Sequence, residues 1–312
     1  MATYLVTGGA GFIGSHIVEA LLQRGDKVRV LDNFATGKRE NIKPFFDRIE
    51  LFEGDIRSYH TVREAVSGVD FVLHQAALPS VPRSVKDPIT SNEVNVVGTL
   101  NVLDAARDAK VKRLVYASSS SIYGDLETLP KTEDMLPKPL SPYAVAKLAG
   151  EKYCQVFTRI YNLETVSLRY FNVFGPRQDP YSQYSAVIPK FVDMIRSGQQ
   201  PLVHGDGEQS RDFTYVGNVV HANLLACEGG LEDLRGEVFN IACGRRITIN
   251  TLIQYINELL GTQITANYST PRAGDVKHSL ANIGKARQFL GYEPQIDFRN
   301  GLEKVVQWMQ GE

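Results

Sequence analysis

What limits this chain most is a repeated alternation. Across the first two-thirds of its 312 residues, short β-branched runs alternate with stretches of helical period. The runs Thr3–Thr7, Lys27–Asp32, Ile49–Glu53, Phe71–His74, Arg113–Ala117 and Thr165–Arg169 read as strands. Between them, 12–24, 59–67, 91–109 and 143–161 read as helices. In the first of these, Ile13, Ile17, Ala20 and Leu21 keep the 3–4 spacing, and Gly25 stops it. Strands that are apolar throughout, separated by crossover helices, predict a parallel sheet covered on both faces: an α/β, doubly wound (Rossmann) fold. A 43% hydrophobic chain has the material for that core.

Thr7-Gly8-Gly9-Ala10-Gly11-Phe12-Ile13-Gly14 links the first strand to the first helix. It reads either as G-x-G-x-x-G (Gly9, Gly11, Gly14) or as G-x-x-G-x-x-G (Gly8, Gly11, Gly14). Either way the glycines allow a tight turn, close approach of backbone N–H groups to a pyrophosphate, and close helix–strand packing. Asp32 ends the second strand, where a carboxylate accepts from an adenosine ribose and repels a 2′-phosphate. NAD is therefore favoured over NADP, although Lys38 and Arg39 follow closely. The regular pattern breaks near Phe174–Pro180, and the segments beyond are shorter and more polar. A cofactor-binding domain is expected over 1–175, with returns near 211–228 and 238–243, and a smaller α/β substrate domain over 176–312.

The fifth strand runs into Ser118-Ser119-Ser120-Ser121, and Ser141-Pro142-Tyr143-Ala144-Val145-Ala146-Lys147 opens a helix. Tyr143 and Lys147 are i and i+4, on one helix face. Hydride chemistry at an alcohol needs a base for the hydroxyl proton. A free phenol has a pKa of about 10, so bringing it near 7 requires roughly 4 kcal/mol of differential stabilisation. A lysine cation and a positive nicotinamide ring are expected to supply it, with a serine hydroxyl orienting the reacting oxygen.

These motifs, in this order, resemble the extended short-chain dehydrogenase/reductases, and among them the nucleotide-sugar 4-epimerases. The likeness extends into Leu168-Arg169-Tyr170-Phe171-Asn172-Val173-Phe174-Gly175-Pro176-Arg177, Gly205-Asp206-Gly207-Glu208-Gln209-Ser210-Arg211-Asp212-Phe213 and Arg272-Ala273-Gly274-Asp275. The resemblance implies Tyr143 as base, Lys147 as its activating lysine and Ser119 as the catalytic hydroxyl. It implies that Gly8, Gly11, Phe12, Ile13, Gly14, Asp32, Asn33, Asp55, Ile56, Gln75, Ala76, Ala77, Asn95 and Tyr170 line the cofactor site with Tyr143 and Lys147. For a UDP-sugar it implies Ser120, Asn172, Val187, His204, Arg211, Arg272, Asp275 and Ser279, with Ser279 as the sugar-pocket gatekeeper whose small size makes room for a 2-acetamido group. Related dehydratases carry Asp-Glu where this chain has Ser120 and Ser121, so elimination chemistry is disfavoured. The expected activity is inversion at C4 of UDP-GlcNAc/UDP-GalNAc and/or UDP-Glc/UDP-Gal through a 4-keto sugar. A UDP-glucuronate 4-epimerase and an idle NAD-binding protein are the alternatives.

Lys and Arg total 34 against 35 Asp and Glu, a balance that disfavours nucleic acid as a partner. Three scattered cysteines and six scattered histidines suggest neither a disulfide scaffold nor a metal site. Met1 leads directly into the first strand, and no run of about 18 apolar residues occurs, so neither a leader nor a membrane span is expected. A cytoplasmic protein follows from these readings. Apolar positions on the 91–109 and 143–161 helices are expected to form a homodimer interface, as the resemblance implies. Glu133-Asp134 reads as a solvated turn, and Trp308 as the anchor of the last helix.

Overall fold

The computed structural model describes residues 1–179, 187–229, 234–270 and 277–311. Seven parallel strands form the central sheet: β1 (Thr3–Thr7), β2 (Lys27–Asp32), β3 (Ile49–Glu53), β4 (Phe71–His74), β5 (Arg113–Ser119), β6 (Thr165–Tyr170) and β7 (Glu237–Ile241). Their order is β7-β6-β5-β4-β1-β2-β3. The order reverses between β1 and β4, which opens a crevice at the strands' carboxyl ends. β5 and β6 run one or two residues beyond the runs visible in the sequence, carrying Ser118, Ser119 and Tyr170 into that crevice.

One apolar layer joins Val6, Ile17, Leu21, Val30, Val115, Leu168 and Phe239 on one face of the sheet. A second joins Leu5, Leu31, Val72, Val102, Leu114 and Phe157 on the other. Each such side chain, removed from water, contributes about 1.5–3 kcal/mol before chain entropy is counted. A third cluster, built on Phe174, Phe191, Val192, Phe213, Leu252, Phe298 and Leu302, gathers the segments after β6. Leu302, Val305 and Val306 dock the last helix, Phe298–Gln310, whereas Trp308 is 41% exposed, so the expected tryptophan anchor is replaced by aliphatic residues.

Residues 175–179 cross the first helix, Phe12–Gln23, and are tied to it. His16 Nε2 donates to the Pro176 carbonyl at 3.0 Å, and Arg177 meets Glu19 at 2.5 Å. On the sheet's other side, the helical path Pro88–Asp108 contains a wide π-type turn at Glu93–Gly98. Gly98 faces Ile56 there; a Cβ would lie 2.6 Å from that side chain.

Candidate active site

The glycine loop is held by its own geometry. Gly8 has φ +69°, its N–H donates to Leu31, and its carbonyl accepts from Gly11 at 3.0 Å. A Cβ on Gly14 would lie 2.1 Å from that carbonyl, and one on Gly8 2.8 Å from Ala76. The helix beginning at Phe12 has Gly11 as N-cap and no side-chain capping bond. Its first N–H groups, around Phe12, Ile13 and Gly14, are thus left for an anionic ligand. A groove of about 380 Å³ runs past them, walled also by Asn33, Asp55, Ile56, Ala77, Lys147 and Tyr170. Glycines that admit no side chain, an uncapped helix start and a carboxylate at the end of β2 fit NAD, the cofactor whose pyrophosphate and ribose need those groups.

Asp32 accepts from the N–H groups of Ala10 (2.9 Å) and Phe34 (2.8 Å); burial nonetheless raises its pKa above the ordinary carboxylate value. The neighbouring cations are engaged elsewhere. Lys38 pairs with Asp179 at 3.0 Å, and Arg39 pairs with Glu53 at 2.6 Å while lying over the Phe34 ring. Asp55 takes bonds from Arg57 and from Asn33 (2.8 Å), which lower its pKa. Gln75 and Tyr170 share a bond of 3.2 Å, and both reach Asn223. Asn95 is buried and spends its amide on Leu78, accepting from its N–H at 2.8 Å and donating to its carbonyl at 3.0 Å. It therefore fastens the loop that carries Ala76 and Ala77 rather than lining the groove itself.

At the groove's inner end stands the helix Pro142–Tyr161, started by a Ser141 side-chain cap and by Pro142. Its second residue, Tyr143, donates its N–H to Ser84 Oγ at 3.0 Å. The Ser119 hydroxyl is near enough to the Tyr143 phenol to lower its pKa, and Ser119 Oγ accepts from Ser121 Oγ at 2.9 Å. Lys147 Nζ donates to the Ala117 carbonyl at 2.8 Å and lies 5.9 Å from the Tyr143 ring centroid. Burial lowers the Lys147 pKa to about 8. Burial also raises the Tyr143 pKa, against a smaller lowering by Ser119. In the protein alone, desolvation of the phenol outweighs the Ser119 hydroxyl, and Lys147 Nζ is turned toward the Ala117 carbonyl.

A second cavity, of about 790 Å³, opens beyond Tyr143 and is walled by Ser119, Ser120, Ser121, Asn172, Arg211 and Ser279. Phe12, Ile13, Pro79, Ser118, Tyr143 and Tyr170 line both cavities. Ser279 Oγ accepts from Asn172 Nδ2 at 3.0 Å, joining two residues 107 apart in sequence. Arg211 donates to the carbonyls of Ser210 and Lys277. His204 bonds Ser269 at 2.9 Å, and Val187 opens the helix Val187–Arg196; neither is on the described wall of this cavity. Arg272 and Asp275 lie outside the described residues. Glu133, expected in solvent, is half-buried and accepts the Asn240 N–H at 2.7 Å; only Asp134 is exposed. Sequence reasoning missed Ser84, Gln178 and Asn223, for which no local motif signals a role. It also missed Glu151, which the i+8 spacing from Tyr143 places on the catalytic face.

A dinucleotide groove that ends at a phenol, a serine hydroxyl and a lysine defines an extended short-chain dehydrogenase/reductase. The chain belongs to the NAD dependent epimerase/dehydratase family, whose model matches residues 4–242. A UDP-glucose 4-epimerase of Mycolicibacterium smegmatis is 36% identical over 315 residues, covering 98% of each chain. A UDP-N-acetylglucosamine 4-epimerase from Methanobrevibacter ruminantium M1, solved with UDP-N-acetylmuramic acid, superposes with a TM-score of 0.95 at 40% identity, over 99% of this chain and 98% of that one. A UDP-glucuronic acid 4-epimerase from Bacillus cereus, solved with UDP-glucuronic acid and NAD, gives 0.91 at 33% identity over 99% of each.

Proposed function

We propose that this protein is an NAD-dependent UDP-hexose 4-epimerase acting on UDP-GlcNAc/UDP-GalNAc and/or UDP-Glc/UDP-Gal. The observation that carries this reading is the position of Tyr143 on the wall common to both cavities, with Ser119 beside it on the wall of the second. A phenol there reaches a sugar hydroxyl from one side and the cofactor groove from the other. NAD, held by the glycine loop, Asp32 and the helix face of Tyr143 and Lys147, would supply a reversible hydride acceptor for C4. Tyr143 takes the O4 proton and gives it back. Ser119 holds O4, and Lys147 keeps the helix face positive. Asn172 and Arg211, with Arg272 and Asp275, hold the UDP portion while the hexose turns. Ser120 and Ser121 offer no carboxylate for elimination.

The small side chain of Ser279 on the cavity wall supports including 2-acetamido sugars among the substrates. Lys131, a cation on the same wall, is 3% exposed and donates its ammonium to the carbonyls of Leu126 and Thr128. It thus has little to offer a C6 carboxylate, which favours a neutral hexose over a uronate. Val85, Ile89, Val97, Val145, Val156 and Ile160 expose apolar surface on neighbouring helices, supporting a homodimer. Among the described residues no helix is long and apolar enough to cross a membrane, and the three cysteines are unpaired; both accord with a cytoplasmic setting.

The test is turnover of a UDP-sugar panel without added NAD. UDP-GlcNAc or UDP-glucose is expected to equilibrate with its C4 epimer, with UDP-glucuronate at least about tenfold slower. Tyr143→Phe is expected to lose most turnover while still binding UDP. Full activity in that variant removes Tyr143 from the base role. Retained NAD with no turnover of any UDP-sugar makes the protein an idle NAD binder.

A further inference from the structure

Beneath the catalytic helix face lies a buried ion pair that the reaction scheme does not use. Tyr143, Lys147 and Glu151 are successive i, i+4 positions of one helix, and all three face the end of β5. Lys147 donates to the Ala117 carbonyl, Glu151 Oε2 accepts from Ser118 Oγ at 2.9 Å, and Ser119 lies near enough to the Tyr143 phenol to lower its pKa. Glu151 is 0% exposed and is gripped from β6 by Arg169, itself 2% exposed, through Nη2–Oε1 at 2.7 Å and Nε–Oε2 at 3.0 Å. Arg169 Nη1 also donates to Tyr123 at 2.7 Å, and Tyr123 donates to Asn240 on β7 at 2.7 Å. One chain of bonds therefore crosses from the helix through β5 and β6 to β7.

Burying such a pair is a poor way to gain stability, because apolar residues of similar volume often serve as well. What a bidentate guanidinium–carboxylate contact does supply is geometry: both hydrogen bonds are kept only at one separation and one tilt. We propose that Glu151 and Arg169 are positioning residues, fixing where Tyr143 and Lys147 stand over Ser119 while keeping the ground beneath Lys147 neutral. This rests on Tyr143 being the base.

The pair's electrostatic side gives a readout that mere loss of packing does not. Ionisable groups near Lys147 and Tyr143 include His74 from β4, Tyr116 from β5, Tyr170 from β6 and Cys154 from the same helix; the neighbouring helix Val81–Lys86 carries Arg83 and Lys86. Burial holds His74 near a pKa of about 3 and Cys154 near about 12, and raises Tyr116 and Tyr170 well above the ordinary phenol. None of these four buried groups changes charge between pH 6 and 9. A limb that rises with pH in that range is expected to report loss of the Tyr143 proton, since loss of the Lys147 proton removes a cation and lowers the rate.

The experiment measures kcat and KM against pH, with UDP affinity and NAD content, in the holoenzyme and its variants. Glu151→Gln leaves an unmatched guanidinium and is expected to move the rising limb to lower pH. Arg169→Met leaves an unmatched carboxylate and moves it to higher pH, each by roughly one pH unit. The double variant Glu151→Leu/Arg169→Met returns the limb to its original place with kcat still depressed at least about tenfold and KM within about twofold. Glu151→Asp keeps the charge and shortens the reach, so kcat falls with the limb unmoved. Ser118→Ala, which opens no cavity of consequence, serves if the others fold poorly and is expected to lower kcat without changing KM.

Unchanged kcat in Glu151→Asp and Ser118→Ala, or limbs that move the same way in both single charge variants, overturns the proposal. Tyr143→Phe run alongside separates the two failures: if it is inactive while the pair variants behave as the parent, only the positioning role falls. If it is fully active, the base assignment falls first.

Discussion

Lys147 is charged at a place where the rest of the fold opposes charge. Burial brings its pKa from 10.5 to about 8, which corresponds to about 3 kcal/mol set against folding at pH 7. Lys147→Met is therefore expected to unfold at higher denaturant concentration than the parent in NAD-free protein, while losing turnover. The sign follows from the lowered value: the penalty is fully present below pH 8 and fades as pH climbs toward 10.5. The stability gap between the two proteins should narrow over that range. A parent more stable than Lys147→Met at pH 7 would show that the bond to Ala117 outweighs desolvation. At this scale the sequence was readable where chemistry is local. Tyr143 and Lys147 share a helix face, and Ser119 ends a strand. Glu151 and Arg169 are 18 residues apart on different elements, so only the packing of the Pro142–Tyr161 helix on β6 reveals their pairing.

Among the elements, the turn between β1 and the first helix is the least tolerant of change. Gly14→Ala brings a Cβ against backbone, 2.1 Å from the Gly8 carbonyl and 2.8 Å from its carbon, and neither can swing aside. The expected result is a loss of at least about 2 kcal/mol together with loss of bound NAD. Gly25→Ala is the control: it has φ +81° but open space around it, so it should cost only about 1 kcal/mol and leave NAD content unchanged. Equal NAD content in the two variants would contradict this account. The six strands β1 to β6 were visible in sequence because each is a short run rich in β-branched and other apolar residues. The segments beyond β6 were harder, since strands of two or three residues such as Ser210–Arg211 and Leu202–His204 carry too little periodicity to register. Asn95 was found by resemblance, yet its bonds to Leu78 depend on a wide helical turn that no spacing rule announces.

For the molecule as a whole, the exposed apolar surface is concentrated on helices that flank the active site. Ile89 is 72% exposed and Ile160 63% exposed, on helices that pack against each other. Light scattering on a sizing column should give about twice the 34.7 kDa chain mass. Ile89→Asp/Ile160→Asp should give the single-chain mass, and a single-chain mass for the parent at micromolar concentration would rule out the dimer. β7 has a different consequence, for anyone wishing to divide this protein. It completes the sheet beside β6, yet it comes 67 residues later in the chain. Severing the polypeptide after residue 175 would hand the sheet's outermost strand to the other piece. The first piece would be left with a naked row of peptide groups along β6, inviting strand-to-strand clumping. The two regions are thus stitched together by inheritance of a strand as much as by any contact between surfaces.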